Sequence, residues 1–113
     1  MSDPVEKRKF PRIEAKWPVT IITAKGPVEG DVRNISLGGV FIYCSERLRM
    51  NATYRLVISP PGEKIEVRGK LLWYNLDDAA GRDTLQGMGF SFVKVSEVHR
   101  ELLREAIQKH AEK

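Results

Sequence analysis

From residue 17 onward, apolar and β-branched residues come in short runs separated by turn formers, the pattern of half-buried strands. Residues 17–24 (WPVTIITA) make the first run and stop at Lys25, Gly26 and Pro27. Further strands are predicted over 28–36 (VEGDVRNIS), 40–44 (VFIYC), 53–59 (TYRLVIS), 64–74 (KIEVRGKLLWY) and 87–95 (GMGFSFVKV). Gly69, in the middle of the longest run, reads as a bulge or corner. Residues 75–86 mix Asp, Ala, Gly and Arg without period and read as a loop.

The period changes near the end of the chain. Ser96 has the chemistry of an N-cap and Glu97 falls in the first turn. Val98, Leu102, Leu103, Ala106, Ile107 and Ala111 then make an apolar stripe at helical spacing, which predicts a helix over 96–112. The expected fold class is mainly β: a six-stranded antiparallel barrel closed by a C-terminal α-helix over residues 17–113, preceded by a flexible basic arm of residues 1–16.

The chain's 113 residues suffice for one core without staples. Its single cysteine, Cys44, excludes an intrachain disulfide and suits a reducing compartment. The opening MSDPVEKRKF lacks an apolar targeting segment, and no run approaches the roughly 18 residues of a spanning helix, so a cytoplasmic protein without membrane insertion is expected. The net charge of +4 sits in one place: Lys7, Arg8, Lys9 and Arg12 carry it, and fifteen basic and fifteen acidic residues cancel elsewhere. One short cationic segment beside a neutral body suits a small anion, and argues against DNA or RNA, which need a broad positive surface.

Catalytic chemistry is thin. His99 and His110 lie about 16 Å apart along the predicted helix, too far to share a metal, and read as solvated side chains. Asp77 and Asp78 fall in the loop with no neighbouring histidine or cysteine. Neither a Walker loop nor a GxGxxG occurs. Neither an enzyme nor a resident metal or cofactor is expected.

Two segments do more than architecture requires. In the first, Pro11 fixes its own φ and pushes Phe10 toward extended geometry, so Arg8 and Arg12 lie on one side of an extended stretch, roughly 13 Å apart. Each guanidinium offers a planar fork that fits a phosphate, fits guanine O6 and N7, or stacks on a purine; Lys7 and Lys9 add only general attraction. In the second, Asn34 can pair with a guanine edge, Ser36 offers a hydroxyl, and Gly38 and Gly39 allow close backbone approach or φ above zero. Asn, Ser and two Gly are also ordinary turn material. Val28 and Val32 share parity with Asn34 and Ser36 while Ile35 does not, so a regular strand would turn the polar residues inward; a bulge near Arg33 would aim them out. Trp73, like Trp17, has burial in the core as its commoner fate, the alternative being a site wall that stacks on a base. The glycines of GMG, Gly87 and Gly89, leave room for either a bulge or a ligand.

Arg8 to Arg12 and Asn34 to Gly39 resemble the RxxxR and (D/N)xSxxG motifs of the PilZ domain, the bacterial receptor for cyclic di-GMP. The GKLLWY and GMGFSF strands and the closing helix resemble later PilZ elements, so the resemblance covers nearly the whole chain. It implies a six-stranded barrel that binds the dinucleotide through Arg8, Arg12, Asn34, Ser36, Gly38 and Gly39, the last being the required glycine, with Lys9 and Trp73 as lesser contributors. A stand-alone receptor with no attached output domain would pass its signal to an unidentified protein partner by ordering the arm, as a monomer or weak dimer. The alternative is a PilZ-like interaction adaptor that binds no nucleotide.

Overall fold

The computed structural model describes residues 12–75 and 86–111. Seven strands and one helix follow in order: β1 (Ile13–Glu14), β2 (Pro18–Thr23), β3 (Gly26–Ile35), β4 (Gly39–Cys44), β5 (Thr53–Ile58), β6 (Ile65–Asn75), β7 (Gln86–Lys94) and α1 (Glu97–Ala111). β3, β2, β5, β6, β7 and β4 are neighbours in that order, all antiparallel, and β4 returns to β3 to close a six-stranded barrel. Closure leaves no long unpaired edge among the described residues.

Strand alternation fills the interior. Val19, Ile21, Val32, Ile35, Val40, Ile42, Leu56, Ile58, Val67 and Met88 are all buried in one core, and their outward neighbours are mostly polar. The expected bulge at Gly69 falls on the partner strand instead: Arg68 pairs with Lys94 and Gly69 with Phe92, so the extra residue is Val93 of β7, and a second shift between Leu71 and Trp73 leaves Leu72 of β6 extra. Cys44 faces inward, and burial pushes its thiol pKa up.

The seventh strand lies within the expected arm. Ile13 pairs with Ile35 and Glu14 with Asn34, on the side of β3 that β2 occupies further along, and Ala15 is only 3% exposed. β1 and β2 are thus one broken strand along β3, bridged by the Val32 N–H donating to the Trp17 carbonyl at 2.8 Å. Two residues are too few to show a period, which is why the pattern gave no sign of β1.

Ser96 caps α1 as its chemistry predicts: its Oγ accepts from the His99 N–H at 3.1 Å. Leu103 and Ile107 join the core, with Leu102 and Ala106 half-buried, but Val98 is 67% exposed and Ala111 is exposed, so the buried stripe is narrower than expected. Neither histidine is simply solvated. His99 Nδ1 lies 2.9 Å from the Glu66 N and 3.0 Å from the Glu66 O, where one ring nitrogen can serve either group of a strand that β7 has left. His110 meets Trp17 edge-on at 5.6 Å. Trp17 is buried, as expected.

Candidate functional site

The site forms on the outside of the barrel, where β1, β3 and the β3–β4 turn meet. Val32 pairs with Ile42, but Asn34 pairs with Phe41, so Arg33 is an extra residue and β3 bulges there. The bulge resolves the parity conflict: Val32 and Ile35 both point into the core, while Asn34 stays half-exposed outside. Because Ile13 pairs with Ile35, the preceding Arg12 arrives beside the turn. Its Nη1 donates to Asn34 Oδ1 at 3.2 Å, joining the two motifs across 22 residues of chain.

Ser36 is placed less openly than a ligand-facing hydroxyl would be. It is 5% exposed, its N–H donates to the Gly39 carbonyl at 2.9 Å, and its Oγ accepts from the Gly38 N–H at 3.0 Å. Its hydroxyl proton is the group left to offer. The Phe92 N–H in turn donates to the Gly38 carbonyl at 2.9 Å, tying the turn to β7. Gly39 is required for packing: a Cβ there would lie 2.5 Å from the Phe90 carbonyl oxygen. Neither Gly38 nor Gly39 uses the positive φ that the sequence left open for them; among the described residues the positive-φ glycines are Gly26 and Gly62.

Trp73 does not take its expected place in the core. The register shift between Leu71 and Trp73 turns it outward, 48% exposed, and it stacks on Phe41 with ring centroids 5.1 Å apart and planes at 20°. The indole lies directly over Gly89, where any side chain would collide with it, so this glycine of GMG makes room for a tryptophan. Register then places Asn34, Phe41, Gly89 and Trp73 in one row across β3, β4, β7 and β6. Phe41 carries no motif in the sequence, and Arg33 is expected there only as the place of a bulge, not as part of the site. Phe41 sits out of phase with Val40 and Ile42, the one signal of its outward face, and Arg33 lies 5.9 Å from the ring centroid of Tyr43 on that same face.

Arg8 and Lys9 lie outside the described residues, as do Asp77 and Asp78. Among the described residues, no group of three or more His, Cys, Asp or Glu is placed to hold a metal ion, and no helix is long and apolar enough to cross a membrane. The arrangement thus sets the Arg12 guanidinium, an amide, a guarded hydroxyl and an aromatic face on one side of the barrel, groups able to hydrogen-bond and to stack.

The fold recurs in solved structures. The Bacillus subtilis inhibitor of motility, MotI/DgrA, superposes with a TM-score of 0.75 at 20% identity, over 95% of this chain and 52% of that one. YcgR from Escherichia coli in complex with c-di-GMP gives 0.76 at 17% identity, over 94% and 46%. The PilZ domain of the same protein with c-di-GMP gives 0.65 at 18%, over 95% and 99%. The chain thus spans about half the length of the first two proteins. None of the curated proteins compared with the chain matches it. The sequence does match the PilZ domain over residues 6–109, so the chain belongs to the PilZ domain family.

Proposed function

We propose that this PilZ domain is a non-catalytic cytoplasmic receptor for cyclic di-GMP, which its E. coli structural neighbour YcgR binds. The observation that carries the reading is the Arg12–Asn34 hydrogen bond, which brings the second arginine of RxxxR onto the first residue of NxSxxG. Arg12 and Arg8 supply forks for phosphate and guanine, Asn34 pairs with a guanine edge, and the Ser36 hydroxyl donates a hydrogen bond. Gly38 and Gly39 hold the turn close, Trp73 offers its open face to a base, and Lys9 adds attraction. The hydrogen bond to Asn34 orients Arg12, and a fork held in this way loses less freedom on binding.

Binding orders the segment ahead of β1 against the barrel, and a protein partner reads the surface so formed. Calorimetric titration with cyclic di-GMP, GTP and a short RNA tests the reading. Saturable binding of cyclic di-GMP alone is expected; equal binding of GTP or RNA, or no binding of any of them, overturns it.

A further inference from the structure

A second feature lies at the opposite end of the barrel from the Asn34 to Gly39 turn, separated by the ten-residue length of β3, roughly 30 Å of strand. There the β2–β3 turn faces the β4–β5 connection across a concavity of about 570 Å³. Lys25, Arg47 and Arg49 line it, with Glu46 as the one carboxylate and with Leu48 and Tyr54 among its apolar lining. Among the described residues the ion pairs are Arg55 with Glu66 and Arg104 with Glu101, so none of these three cations is paired there. Three positive charges against the one carboxylate of Glu46 leave the hollow with an excess of positive charge, which favours an anion there.

The connection that carries the two arginines is held in shape. The Arg49 N–H donates to the Tyr54 hydroxyl at 3.0 Å, and the Tyr74 hydroxyl donates to the Leu48 carbonyl. The Asn51 N–H donates to the Leu71 carbonyl at 2.8 Å, with Asn51 itself at φ 63°, and the Leu71 N–H donates back to the Ala52 carbonyl at 3.0 Å. A conformation pinned this often positions its side chains with little further loss of backbone freedom on binding.

We infer that this hollow is a second anion site, one that takes a small soluble molecule bearing a diphosphate-type group, with Arg47 and Arg49 as planar forks and Lys25 as a point charge. It stands independently of cyclic di-GMP recognition, because it shares no residue with that site and lies at the other end of the barrel. The test is amide NMR with inorganic pyrophosphate on the wild type, on an Arg47→Ala/Arg49→Ala double variant and on Arg12→Ala. Saturating shifts confined to residues 23–28 and 46–54, weakened roughly tenfold or more in the double variant and kept in Arg12→Ala, are expected. Shifts spread over all basic residues, shifts abolished by Arg12→Ala, or no saturation at millimolar pyrophosphate overturn the site. Sedimentation with phosphatidylglycerol vesicles separates the source: if wild type but not the double variant binds vesicles, and pyrophosphate causes no shifts, the soluble ligand is wrong and a membrane surface takes its place.

Discussion

Trp73 lies nearly flat on Phe41, two strands away, and the residue between them in the row is Gly89. The stack depends on that glycine having no side chain, because a Cβ would occupy the space of the indole. Gly89→Ala should therefore displace Trp73 and act on the site as Trp73→Ala does. Both variants should lose stability, Trp73→Ala by about 1 kcal/mol, the scale of an aromatic pair, and both should bind cyclic di-GMP more weakly. Denaturant unfolding and calorimetry on the two variants check this. A Gly89→Ala protein with wild-type affinity and Trp73 fluorescence would separate the glycine from the stack.

Arg12 tests fork geometry against charge. Arg12→Ala should cost about 1.5–3 kcal/mol of cyclic di-GMP binding, the range for hydrogen bonds to a charged group. Arg12→Lys keeps the net charge of +4 but loses the planar fork, and should also bind far more weakly. Its contact with Asn34 is exposed, so unfolding free energy should change little in either variant. Affinity that simply follows net charge across such variants would mean nonspecific anion attraction.

The barrel was legible in the sequence because alternation needs only a handful of residues to declare itself, and because the conflict between Val32 and Ile35 demanded a bulge at Arg33. In LLWY the bulge at Leu72 leaves no such conflict: Leu71, Leu72 and Trp73 are all apolar, so nothing in their order says that Leu72 and Trp73 both face out. Ser36 was legible as a hydroxyl beside a turn, but its acceptor role toward the Gly38 N–H depends on how the turn closes. His99 carried no sign of its partner because that partner is backbone, at Glu66, 33 residues earlier.

Cys44 gives a dependence on pH. Burial raises its thiol pKa above the ordinary value of 9.0, so the folded state holds its proton where the unfolded chain has lost it. The contribution is fully present below pH 9.0 and is lost as pH rises through the folded pKa. Stability should fall on the alkaline side, and Cys44→Ala, whatever its cost at neutral pH, should fall less steeply there. Urea midpoints from neutral to alkaline pH for both proteins make the comparison, and parallel curves would remove Cys44 from the effect. A thiol reagent at neutral pH should label Cys44 only through opening of the barrel, since it is 1% exposed.

Ligand binding should tie the segment before β1 to the barrel. β1 is paired in the sheet, through Ile13 with Ile35 and Glu14 with Asn34, so new protection should begin upstream of it. Amide exchange at Lys7 to Arg12 should slow at saturating cyclic di-GMP, while Ile13 and Glu14, already in the sheet, should change less. Mass action adds a second readout: ligand at 100 times its dissociation constant should raise the unfolding free energy by roughly 2.7 kcal/mol. The two readouts separate binding from clamping. Stabilisation of that size with unchanged exchange at Lys7 to Arg12 would mean that the ligand sits on Asn34, the turn and Trp73 without drawing in the segment, and a partner would then have to read the ligand itself rather than an ordered arm.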